Sequence, residues 1–146
     1  MSTPADQRSF EKIYAEVQQF YAEHVHLMDG GSAEEAAATF TEDASLLSPP
    51  KVAEPIRGRA NLAAGLRRAA QALADEGVTY RRCYSMISVR QRVDGELHVR
   101  SYVQVIATRR GGEANLHAMC VCDDVLVREG GSLKVRDRRV IRDDCL

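Results

Sequence analysis

Three glycine-bearing tight turns divide the second half of the chain: Asp94-Gly95, Gly111-Gly112 and Gly130-Gly131. Dipeptides of this kind supply the left-handed backbone that short hairpin turns require. The segments around them, at about 79–93, 96–109, 115–129 and 132–142, are rich in valine, isoleucine and tyrosine and predict four strands. Connections so short cannot cross over a sheet, so the four are antiparallel neighbours. At about thirteen residues each they exceed the usual five or six, which requires bends or bulges along them.

The first half has a different texture. Phe10, Ile13, Val17, Phe20, Leu27 and Met28 recur at three-and-four spacing, which predicts a helix over 6–28 with one buried stripe. Asp29-Gly30-Gly31 stops it, and Ser32 with Glu35 has the form of a capping box opening a second helix through about Phe40. Ala44 to Ser48 predicts a short strand closed by Pro49-Pro50, followed by a loop to Gly58. A third helix runs from an N-cap at about Asn61 to Asp75, with Gly77 at its end. The expected class is α+β: one domain over 1–146, with three N-terminal helices packed on a strongly curved, mainly antiparallel sheet that encloses a pocket.

Composition limits what such a pocket serves. The chain has 20 basic and 21 acidic residues and a net charge of −1, and its basic pairs are interleaved with acids, so nucleic acid is not an expected partner. Asp6, Glu11, Glu16 and Glu23 interrupt the first thirty residues, so neither a signal peptide nor a membrane span is expected there and a cytoplasmic location is. Cys83, Cys120, Cys122 and Cys145 form no CxxC pair or familiar zinc spacing, so no metal is expected. No P-loop, HExxH or GxSxG motif occurs, which disfavours nucleotide and nicotinamide chemistry; the expected cofactor is none.

The helix-then-sheet order and several short pieces resemble the nuclear transport factor 2-like superfamily, in its SnoaL-like branch of polyketide cyclases, dehydratases and isomerases. The pieces are Phe20-Tyr21-Ala22 leading to Leu27-Met28-Asp29-Gly30, Thr39-Phe40-Thr41-Glu42-Asp43-Ala44, Ile56-Arg57-Gly58-Arg59, the run Cys122 to Arg128 and the closing Arg138 to Asp143. The resemblance implies a cone, with the sheet curled around the first helix and a pocket at the open end. It also implies a small-molecule substrate of polyketide type. Two departures stand out: Ser48 precedes Pro49 where ketosteroid isomerases carry a base aspartate, and Arg82 stands where many relatives carry a histidine.

Candidate chemistry follows from phase and parity. His24 lies on the inward stripe beside Tyr21, and at the pocket end of the helix it is a candidate proton-transfer group. His117, Met119, Val121, Asp123, Val125 and Val127 share one parity, four of them apolar, which makes theirs the concave face and Asp123 the acid on it; a bulge would exchange it for Asp124. Tyr14, Tyr21, Arg82, Tyr84, Tyr102 and His117 are candidate substrate contacts. The expected activity is cofactor-independent cyclisation, dehydration or isomerisation by acid-base chemistry, with a binding or dimerisation module, or the small subunit of a ring-hydroxylating oxygenase, as alternatives. Cys120, Cys122 and Leu126 on the other face lead to the expectation of a homodimer through it.

Overall fold

The computed structural model describes residues 9–145, so positions 6–8 of the expected first helix lie outside it. Helix α1 spans Phe10–Asp29, with Lys12 N–H donating to Ser9 Oγ at its start. Its stripe of Ile13, Val17, Tyr21, His24 and Val25 is buried against the sheet. Helix α2 is shorter than its capping motif implied, Ala33–Ala37, and Ser32 makes no side-chain cap. The chain leaves it early because Thr39 is already engaged in the sheet, its carbonyl accepting from Val135 N–H at 2.9 Å.

Strand β1, Phe40–Ser48, thus begins four residues before the expected start. The segment read as a loop contains a second strand, β2, Val52–Arg57, paired antiparallel to β1. Pro55 within it lacks an N–H, which a strand tolerates at a sheet edge, and β2 is an edge. Helix α3, Arg59–Glu76, starts from Gly58 (φ 88°) instead of Asn61, whose side chain bonds the Arg57 carbonyl at 2.9 Å. It ends on Gly77 in the left-handed conformation. The four long strands form as expected: β3 Val78–Gln91, β4 Leu97–Arg109, β5 Ala114–Glu129 and β6 Ser132–Arg142.

All six strands make one sheet in the order β2-β1-β6-β5-β4-β3, antiparallel throughout except for β1 against β6. The sheet curls around α1 as a half-barrel, the cone of an α+β fold. Ile13, Val17, Phe40, Leu97, Val99, Leu126 and Val135 fill the space between helix and sheet. Burial of such side chains is the main force holding the layers together, at roughly 1.5–3 kcal/mol each. Glu16 and Arg128 pin α1 to β5 through two hydrogen bonds of 2.6 and 2.7 Å, and Tyr14 Oη donates to the Ile87 carbonyl at 2.8 Å.

The expected facing of β5 is reversed. Cys120, Cys122, Asp124 and Leu126 are buried toward α1, while Asp123 faces outward. Counting apolar residues fails here because both faces carry them, and because the polar side chain inside, Asp124, is neutralised by a partner on β6. The cysteines and Leu126 lie inside the chain's own core, so they offer no dimer surface, and the argument for one through them is withdrawn.

The expected irregularity in the long strands occurs between Ser85 and Ser88, where the β3–β4 register shifts. Met86 adopts φ 50° there and is 73 % exposed. A non-glycine residue in that region carries about 1–2 kcal/mol of strain, whereas glycine's extra backbone entropy costs about 0.5–1 kcal/mol. Met86→Gly is therefore expected to raise stability by about 0.5–1 kcal/mol in urea unfolding, and a loss would show that Met86 contributes packing at this bend.

Candidate active site

The interior holds a charged pair. Asp124 on β5 and Arg138 on β6 are register partners, and their side chains are 0 % and 1 % exposed. Arg138 Nε donates to Asp124 Oδ1 at 2.9 Å and Nη2 to Oδ2 at 2.8 Å, the two-pronged geometry that suits guanidinium and carboxylate. Buried ions need further partners to offset their lost hydration. Tyr21 Oη donates to Asp124 Oδ2 at 2.7 Å and Cys122 Sγ to Oδ1 at 3.3 Å. The guanidinium carbon lies 5.3 Å from the centre of the Phe40 ring and 5.6 Å from that of Tyr84. Burial, reinforced by the charge of Asp124, pushes the Tyr21 phenol and Cys122 thiol up, keeping both as donors. Burial works against the charge on Arg138, but Asp124, by charge and hydrogen bonds, together with Tyr84 and Cys122 outweighs it and its pKa is raised.

His24 completes this cluster, fully buried on α1. Its Nδ1 lies 2.7 Å from Thr39 Oγ1, which donates its own proton to the Ala36 carbonyl at 2.5 Å. A hydroxyl has one proton to give, so Thr39 accepts from His24 and Nδ1 carries the hydrogen. Nε2 then presents a lone pair, and Arg138 Nη1 donates to it at 2.8 Å. Burial, then the positive charges of Arg138 and Arg82, hold the imidazole pKa well below its usual value. The ring is neutral, in one tautomer, stacked on Phe20 with 5.6 Å between centres.

Beside the cluster is a cavity of about 680 Å³ between the end of α1, helix α3 and the start of β3. Leu27, Leu66, Ala70 and Leu73 give it an apolar helical wall, and Tyr80 and Arg82 line the strand wall. Arg82 Nη1 donates to Asp29 Oδ1 at 2.6 Å, and the Arg82 backbone N–H holds the other Asp29 oxygen at 3.1 Å. Met28 lines the cavity while its Sδ lies 3.9 Å from Arg138 Nη1. Met28 thus touches both the cavity and the cluster. Tyr84, stacked on Tyr21 at 5.2 Å, has a hydroxyl without a hydrogen-bond partner among the described residues.

Of the residues singled out from the sequence, His24, Asp124, Tyr21 and Tyr84 come together in this cluster, and Arg82 lines the cavity next to it. The others lie elsewhere. Asp123 is half exposed and pairs with Arg100 at 3.1 Å. Tyr14 bonds the backbone of β3 within the core, Tyr102 is 49 % exposed on the outer face, and exposed His117 meets Tyr80 Oη at 3.1 Å. Arg138, Thr39 and Met28 were missed. A regular hairpin about Gly130-Gly131 would set Asp124 opposite Asp137, and only the register shift between Val125 and Leu126 brings it opposite Arg138. Among the described residues no group of three or more histidine, cysteine or carboxylate side chains is placed to hold a metal ion.

A histidine held neutral in the fold but free to ionise when unfolded has a definite pH signature. Above about pH 6.5, the unfolded pKa, His24 leaves stability unchanged; below it the unfolded chain takes up a proton that the folded site refuses, and stability falls by about 1.4 kcal/mol per pH unit until the lowered folded pKa is reached. Urea unfolding between pH 7.5 and 5 is expected to show this decline. His24→Gln, whose amide oxygen can still accept from Arg138, should flatten that part of the curve; an equal slope in both proteins would assign it to other groups.

The chain as a whole has relatives among known proteins. A search of the curated proteins gives no match. Among solved structures, Aln2 from a Streptomyces species is 34 % identical over 94 % of both chains, with a TM-score of 0.84. ActVI-ORFA from Streptomyces coelicolor is 29 % identical over 91 % of this chain and 98 % of that one, with a TM-score of 0.83. A protein of Catenulispora acidiphila, solved in complex with S-DNPA, is 31 % identical over 92 % of this chain and 96 % of that one, with a TM-score of 0.79. The SnoaL-like domain model matches residues 12–139, from the first turns of α1 through both members of the buried ion pair and one residue beyond, and the chain belongs to that family.

Proposed function

We propose that the protein is a cofactor-independent enzyme that cyclises, dehydrates or isomerises a small polyketide-type intermediate by proton transfer at the junction of cavity and cluster. The fold is one of small-molecule cyclase and isomerase type. The observation that carries the reading is Met28, which lines the cavity and touches the guanidinium bonded to His24 Nε2. A substrate that displaces Met28 opens the contact between Arg138 Nη1 and His24 Nε2. The freed lone pair takes a proton from the carbon next to a substrate carbonyl; the C–H electron pair forms the enolate C=C bond, the carbonyl π pair moves onto oxygen, and Arg138 Nη1 turns to that oxyanion. The proton on Nε2 returns to the enolate carbon or to a leaving oxygen, which restores the neutral ring. Asp124 stays paired and holds Arg138 in place, and Tyr84 supplies its unpartnered hydroxyl to the substrate.

Substrate identity is not needed to test the proton transfer. Exchange of the α-hydrogens of 2-tetralone in deuterated buffer, followed by NMR, reads enolisation directly. The protein is expected to accelerate it, and His24→Gln to lose about 10²-fold or more of that acceleration while its thermal midpoint moves little. Unchanged exchange in the variant would leave the cavity as a binding site only, the reading that the occupied Nε2 favours wherever its bond to Arg138 stays closed.

A further inference from the structure

A second concavity lies on the outer face of the sheet, away from the helices. It is a groove of about 360 Å³ along the end of the β3–β4 hairpin, lined by Ser88, Arg90, Arg92, His98, Arg100 and Asp123. The register explains why these side chains meet. Arg90 pairs with His98 and Ser88 with Arg100 across β3 and β4, while Val89 and Val99 between them are buried in the core. Arg100 in turn stands opposite Asp123 on β5. Alternation along each strand therefore sends this polar set outward together, and Arg92, two residues beyond Arg90, extends it at the turn. The charges of the groove do not balance. Asp124 reaches it only from the other side of its strand, with its carboxylate turned inward and bonded to Arg138. Asp123 is engaged by Arg100 at 3.1 Å, and His98 by Glu96 at 3.3 Å. Asp94, in the hairpin turn, accepts the Glu96 N–H at 3.0 Å. Arg90, Arg92 and the Ser88 hydroxyl have no hydrogen-bond or ion-pair partner among the described residues. Like charges set side by side on a sheet face oppose folding, and an anion between them relieves that repulsion.

We propose that this groove binds a phosphate monoester, held by Arg90 and Arg92, with Arg100 and the Ser88 hydroxyl completing the set of donors. A carboxylate has one charge and two oxygens, and a single guanidinium edge satisfies it. Three guanidiniums and a hydroxyl suit a group with more charge and more acceptors. A phosphate monoester provides both, with about −1.5 to −2 charges at pH 7 and three strong acceptor oxygens. The groove's volume leaves room for a small group attached to the phosphate, beside Val125. The site is separate from the cavity next to His24, since it opens on the opposite face of the sheet. Asp123 competes with the anion for Arg100 and is therefore the residue that limits affinity.

Calorimetric titration of the whole chain with phenyl phosphate at low ionic strength tests this. A dissociation constant of about 1 mM or tighter is expected, and it should weaken as salt is added, because the contacts are ionic and exposed. The double variant Arg90→Gln, Arg92→Gln is expected to bind about tenfold more weakly or worse, as loss of charge-assisted hydrogen bonds would give. Asp123→Asn, which frees Arg100, is expected to bind several-fold more tightly. Arg90, Arg92 and Asp123 are all exposed, so both variants should keep the thermal midpoint of the parent. A phosphoserine tripeptide with capped ends, titrated alongside, identifies the source of the phosphate: binding of both probes admits a phosphorylated protein segment, and binding of phenyl phosphate alone restricts the site to small-molecule esters. Absence of saturable binding, an affinity unchanged in the double variant, which would put the anion elsewhere on the chain, or an Asp123→Asn protein that binds no more tightly would overturn the proposal.

Discussion

The pairing of Asp124 with Arg138 is the interaction on which the rest of the interior depends. Two ions without solvent contact cost several kcal/mol each in lost hydration, and their attraction offsets that only when the remaining donors and acceptors are also satisfied. The fold supplies those partners from three elements. Tyr21 and His24 come from α1, Cys122 from β5, and the Phe40 ring from β1. The helix phase, the facing of β5 and the parallel docking of β1 on β6 are thereby tied to one another. A shift of any of them by one residue would leave a charge buried without its partner.

The same guanidinium shapes the chemistry. By donating to His24 Nε2 it selects the lone-pair nitrogen, and by its charge it keeps the ring neutral. Thr39 fixes the other nitrogen from the end of α2, where the early exit from the helix puts its carbonyl into the sheet and leaves its hydroxyl beside the ring. The site therefore has two compartments of different character. One is a buried cluster of net neutral charge, bonded throughout except at the Tyr84 hydroxyl, and the other is an open cavity whose strand wall is positively charged. Met28 is the residue shared between them.

Much of this was legible in the sequence. Glycine turns announced the four-stranded meander because their backbone requirement is local, and the spacing of Ile13, Val17 and His24 announced the buried face of α1 for the same reason. What stayed hidden depends on contacts distant along the chain. β2 escaped notice because its proline, Pro55, after Pro49-Pro50, read as part of a loop until an edge position excuses it. Asp123 was preferred to Asp124 because parity weighs one strand alone, while the actual facing follows from a charge on β6 and a register shift that no turn motif reveals. Arg138 looked like one more arginine in a basic run, and only its depth distinguishes it from Arg136 and Arg139.

The most direct test of this account is the protonation state of His24 itself, read from ring nitrogen shifts in protein labelled with nitrogen-15 at histidine. The cluster predicts one neutral tautomer, with hydrogen on Nδ1 and none on Nε2, unchanged between pH 8 and pH 6. A ring that titrates near its ordinary value of about 6.5, or one that carries its hydrogen on Nε2, would contradict the arrangement of Thr39, His24 and Arg138 from which the mechanism is built.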